Sequence, residues 1–133
     1  MFKGGDVARV WLISSVVSTT VMGLAHAETA QEMRSYCQPV VIAKALPNGQ
    51  VNLQQTFLSG WCWGAIGTLQ NLGRLWDMDN GPLLHFCAPQ GSTLIQYASI
   101  FTDFADRHPE RLHEAWFLVA LSALQEAFPC KQQ

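Results

Sequence analysis

Apolar residues along this chain recur mostly at helical spacing. Met33, Tyr36, Cys37, Val40 and Val41 form one stripe, the three-to-four-residue recurrence that gathers side chains on one face of a helix. Thr29 and Glu32 stand before it at capping-box spacing. Their side chains can satisfy two N–H groups that a first turn leaves open. Pro39 is expected to kink or split this helix, because its ring removes a backbone donor. Pro47-Asn48-Gly49 reads as a turn. A second helix is predicted from about Leu53 to Trp76, with Leu58, Cys62, Ala65, Ile66, Leu69, Leu72 and Trp76 as its stripe. Gly60, Gly64, Gly67 and Asn71 form a face of that helix with almost no bulk. Glycines in a helix are unfavourable by roughly 1 kcal/mol each against alanine, so they point to a site where another backbone comes close.

Residues 74–90 read as loop, since Asp77 to Pro82 is dense in turn formers. Thr93 and Gln96 repeat the capping-box spacing ahead of a third stripe, Leu94, Ala98, Phe101, Phe104 and Ala105. The last helix is predicted to open at Pro109, which suits a first helical position, and to run to Phe128. It carries Leu112, Trp116, Val119, Ala120, Ala123 and Ala127 on one side, with Phe117, Leu118, Leu121, Leu124 and Phe128 elsewhere. A helix apolar nearly all round belongs at the centre of the bundle or at a subunit interface. No period-2 run reaches strand length. The fold class is all-α, a small four- to five-helix bundle with two intramolecular disulfides.

The first residues change the setting. Lys3 and Arg9 precede an apolar stretch from Val10 to Leu24, and Ala25-His26-Ala27 is a small-x-small cleavage site. Residues 1–27 are therefore expected to be a signal peptide, leaving 28–133 as a single domain in the periplasm. All four cysteines, Cys37, Cys62, Cys87 and Cys130, lie beyond it. An even count in an exported chain argues for two disulfides. Three connectivities are open. A short link makes the last two helices antiparallel neighbours of about 21 and 30 Å. The last helix then overshoots by roughly 9 Å, and the chain between Cys87 and Thr93 can span up to about 18 Å. That favours Cys87 with Cys130, and Cys37 with Cys62.

Charge and motifs exclude more than they assign. The formal net charge of −2 leaves no footprint for nucleic acid and no basic cluster for a membrane surface. Trp61-Cys62-Trp63-Gly64 lacks the second cysteine of a redox pair. Asp77, Asp79 and Gly81 miss the glycine and terminal glutamate positions of a calcium loop. His85-Phe86-Cys87 has no second ligand pair for zinc. His85, His108 and His113 have no nucleophile motif around them, and Asp103 and Asp106 read as a solvated edge beside Arg107. No catalytic residue, metal or cofactor is implied. What stands out is a loop carrying Trp76, Met78, Leu83 and Leu84 among Asp77, Asp79 and Asn80. Aromatic and methionine side chains suit a binding core, and the acids suit a basic or metal-rich cleft.

Several of these pieces, taken in order, resemble the Rap/Tai family of immunity proteins, which protect bacteria against type VI secretion amidase effectors. They are Ser59-Gly60-Trp61-Cys62-Trp63-Gly64, Phe86-Cys87-Ala88-Pro89, Gly91-Ser92-Thr93, His108-Pro109-Glu110-Arg111-Leu112-His113 and Ala127-Phe128-Pro129-Cys130. The resemblance implies a small exported helical domain, often a homodimer, that binds a peptidoglycan amidase and blocks its cleft. A loop reaching into the enzyme is a familiar device there, and it is carried here to Trp76–Leu84 as a segment. Two departures stand out: Trp61 replaces the usual tyrosine, and Gly67-Thr68 stands where an acid is usual. The rival readings are a small periplasmic acid-stress chaperone and an enzyme. The first lacks charged groups, at 14% of the chain, to drive an acid switch, and the second lacks a catalytic signature.

Overall fold

Among the described residues four α-helices build the fold: α1 (Ala30–Val41), α2 (Phe57–Leu72), α3 (Leu94–Arg107) and α4 (Trp116–Ala127). A computed structural model describes residues 27–48 and 50–131. Most of the expected signal segment, residues 1–26, therefore lies outside the described residues, as does Gly49 of the predicted turn. Three of the helices open on a complete capping box. Thr29 and Glu32 close α1, Thr93 and Gln96 close α3, and Thr56 with Ser59 closes α2. The last box moves the start of α2 from Leu53 to Phe57. Its reciprocal partner is a serine, not the glutamate or glutamine usual at that position. Ser59 is fully buried, and its hydroxyl also donates to the Gln54 carbonyl at 2.6 Å. At the other end α2 stops at Leu72, short of the predicted Trp76.

The prediction for the last helix is corrected. Pro109–Arg111 form one 3₁₀ turn, and α4 begins only at Trp116. The stretch between them gives its carbonyls to α1 instead of to a helix of its own. Glu114 accepts from the Ala30 N–H at 2.8 Å and Leu112 from the Gln31 N–H at 3.0 Å. The first-turn donors of α1, which no helix can satisfy internally, thus find partners in the elbow before α4. Arg111 grips Glu114 through two hydrogen bonds of 2.9 and 2.8 Å and holds that elbow. Pro39 does not split α1, which runs unbroken to Val41. The proline stands in the last turn, where little helix remains for its missing donor to disturb.

α1 and α3 form the centre, each packed against the other three helices. Their buried faces are Met33, Cys37 and Val40 on α1 and Tyr97, Ala98, Phe101, Phe104 and Ala105 on α3. α4 is a flank and not the central helix. It buries Val119, Ala120, Ala123 and Leu124 and turns Leu118 outward. Cys37 and Cys62 are joined inside this core, both fully buried. Cys87 and Cys130 are joined at the end of α4, with Cys87 exposed. That pairing is the favoured one, yet the helix-length argument for it fails. α4 is about 18 Å long, shorter than α3, and so cannot overshoot. Cys87 reaches Cys130 because its own N–H donates to the Phe128 carbonyl at 2.8 Å, which runs the loop alongside the helix end. Two tiny hairpins complete the fold: β1 (Lys44–Ala45) with β2 (Val51–Asn52), and β3 (Trp76–Asp77) with β4 (Gly81–Pro82).

Candidate functional site

The segment after α2 is a shaped hairpin. Trp76 stands opposite Pro82 and Asp77 opposite Gly81, and the Leu83 N–H donates to the Leu75 carbonyl at 2.9 Å. Asp77 organises the tip, since its carboxylate accepts from the Asn80 amide at 2.6 Å and from the Asp79 N–H at 3.1 Å. Those two bonds, the Asn80 bond first, hold the Asp77 carboxyl below the usual carboxylate range. Gly81 sits at φ 81°, a left-handed conformation that closes the turn and that side chains with a Cβ resist.

This geometry points the apolar side chains of the tip away from the domain. Met78 is 95% exposed and Trp76 67%, and Leu83 and Leu75 are about half exposed at 51% and 50%. Asp77, Asp79 and Asn80 are exposed beside them. Leu84 behaves differently. It packs against the core, and its carbonyl accepts from the Gln125 amide at 3.1 Å. Leu84 thus ties the base of the hairpin to α4, while the other six candidate residues form its projecting part. Below the base, the Cys87–Cys130 disulfide fixes the chain again.

A second apolar surface lies on the outward face of α2. The sequence reading marked its glycines Gly60 and Gly64 but placed Leu58, which is 44% exposed, on the main apolar stripe and did not place Phe57 or Trp61 on this face. Phe57, Leu58 and Trp61 are exposed, and Trp63 lies at the edge of exposure. The rings of Phe57 and Trp61 pack together at 6.0 Å. Gly60, Trp61, Gly64, Ala65 and Thr68 of α2, with Trp116 of α4, line an open groove of about 310 Å³. Nothing lies within 4 Å of where a Cβ would stand on Gly60 or Gly64. The close approach that the glycine face leads one to expect is not made at either residue by the described residues. The available signal was the spacing of Phe57, Trp61, Gly64 and Thr68, a second stripe beside the one that is buried.

Fold and surface together define a small, doubly stapled helical domain that turns large apolar side chains to solvent. A model of the Rap1a immunity protein family matches residues 13–130, most of the chain, and the protein belongs to that family. Membership implies an immunity role against a type VI secretion effector, with a cognate effector as its binding partner. No curated protein and no solved structure matches the chain. Among the described residues no helix is long and apolar enough to cross a membrane.

Proposed function

We propose that this protein acts in the periplasm and neutralises a peptidoglycan amidase effector by occluding its active-site cleft with the hairpin that spans Trp76 to Leu84. The observation that carries the reading is Met78 at 95% exposure on a tip whose backbone is nevertheless fixed by the Asp77 hydrogen bonds. An exposed methionine and tryptophan supply adaptable and rigid apolar surface, respectively. A pre-shaped loop loses less conformational entropy on docking than a floppy one. The acids at the tip suit a cleft of opposite charge. No chemistry on the immunity protein's part is required, because filling the cleft is enough. In this reading the outward face of α2 serves a homodimer, with Gly60 and Gly64 admitting the second copy.

The test is inhibition of the cognate amidase by purified variants. Trp76→Ala with Met78→Ala is expected to weaken inhibition by at least ten-fold, since central aromatic anchors commonly contribute 2 kcal/mol or more, roughly a thirty-fold change. The melting temperature should stay at that of wild type. Undiminished inhibition by the folded double variant removes the hairpin from the site.

A further inference from the structure

Behind the hairpin lies a cavity of about 570 Å³, within the size range of small-ligand pockets. Its walls come from the end of α2, from Trp76 and Pro82 of the hairpin, from residues 88–92, and from Tyr97 of α3. Phe86 forms its floor by packing over Gly73. One cation, Arg74, lines the space, and no acidic side chain does. Arg74 pairs with no carboxylate among the described residues. Tyr97 is 3% exposed, and none of the described residues hydrogen-bonds its hydroxyl, which keeps its access to solvent where Tyr97 lines the cavity. Burial raises the Tyr97 hydroxyl above its ordinary pKa, and the Arg74 charge opposes the shift. Gln70, by contrast, is already committed, its amide donating to the Ser92 carbonyl at 2.8 Å.

We propose that this cavity is a binding site for a carboxylate attached to an apolar body, with the Arg74 guanidinium and the Tyr97 hydroxyl as donors and Trp76, Pro82, Phe86 and Pro89 as the apolar wall. A guanidinium presents a fork that matches the two oxygens of a carboxylate. A single cation balances one negative charge, whereas a phosphate monoester carries closer to two. The size-matched source is the C-terminal residue of a peptide. An acidic side chain of a bound protein offers the same chemistry. The inference does not depend on the hairpin entering an amidase, because it concerns the inner side of the hairpin and is read on the isolated protein.

The experiment is a titration of the isotope-labelled protein, followed by amide resonances and calorimetry, with three probes. These are N-acetyl-glycyl-leucine, its C-terminal amide, and N-acetyl-glutamyl-leucine amide. Binding of the free acid but not its amide, with shifts at residues 73–76 and 90–92, supports the site and assigns a chain terminus. Binding of the glutamyl amide supports the site and assigns an acidic side chain as well. Arg74→Gln should weaken either by about ten-fold or more, the effect of losing a charge-assisted hydrogen bond. Arg74 is exposed, so this variant should melt as wild type does. Tyr97→Phe should weaken binding less and preserve the discrimination between acid and amide. Equal binding of acid and amide, no binding of any probe, or an unchanged affinity in Arg74→Gln overturns the proposal.

Discussion

Gly73 and Phe86 illustrate how a single missing side chain places a functional segment. A Cβ on Gly73 would stand 2.2 Å from the Cζ of Phe86 and 2.6 Å from a second ring carbon, so the ring, 1% exposed, would have to shift. The glycine that ends α2 therefore lets the phenylalanine beyond the hairpin tuck under it. That contact closes the loop at its base and shapes the cavity above. Gly73→Ala should destabilise the protein by about 1–3 kcal/mol, the usual effect of overpacking, despite the higher helix propensity of alanine. Chemical denaturation measures it, and a variant as stable as wild type would show that the ring is not held there. In the sequence nothing sets Gly73 apart from the other glycines near it, because the partner that makes it necessary lies in another segment. Ser59 was hidden for a related reason: a serine in the third helical position does not advertise a capping box.

The elements show which features were legible and which were not. α1 and α3 were readable because each carries its own start signal, Thr29 with Glu32 and Thr93 with Gln96, and one clean buried stripe. α4 was misread at its beginning because Pro109 is a sound local helix start, while the carbonyls of Leu112 and Glu114 are claimed by the distant Ala30 and Gln31. No local pattern announces a long-range cap. The hairpin residues were legible as a segment from composition, but not the division of labour within it, with Leu84 packed down and Met78 projecting. For α2 the close approach expected on the glycine face is not made by the described residues at Gly60 or Gly64. With open space at both positions, Gly60→Ala with Gly64→Ala should raise stability by up to about 1 kcal/mol per site. If the proposed second copy packs there, the same double variant should shift the protein towards monomer in sedimentation velocity. A more stable variant whose self-association is unchanged would place any dimer contact elsewhere.

For the whole molecule, covalent and electrostatic restraints divide the work. In the chain-entropy view each disulfide contributes roughly 3.5–4 kcal/mol for loops of this size, comparable to much of the net stability of a small domain. The core bond joins α1 to α2, and the exposed one joins the loop before α3 to the end of α4. Carboxylates supply a smaller, pH-dependent part. Asp77 is held down by the Asn80 amide, Glu110 by a backbone N–H and then by His108, and Glu114 by Arg111. In each case the folded pKa lies below the unfolded one. The folded state then gains from the charged form above the unfolded value of about 4, and the gain is lost as pH falls through the folded pKa. Denaturant midpoints should therefore fall as the pH drops below about 4. A midpoint that rises on acidification would contradict these assignments.

The central claim is that the hairpin tip enters the effector's catalytic cleft, and proximity in the complex tests it most directly. A photo-crosslinking amino acid in place of Met78, with a control at Asp103 on the exposed side of α3, would be irradiated in the presence of the cognate amidase. The account predicts adducts from position 78 on peptides that line the amidase active site, and none there from position 103. Adducts from position 78 confined to surfaces remote from the catalytic cleft, or an inhibited complex that yields no adduct at 78, would contradict it.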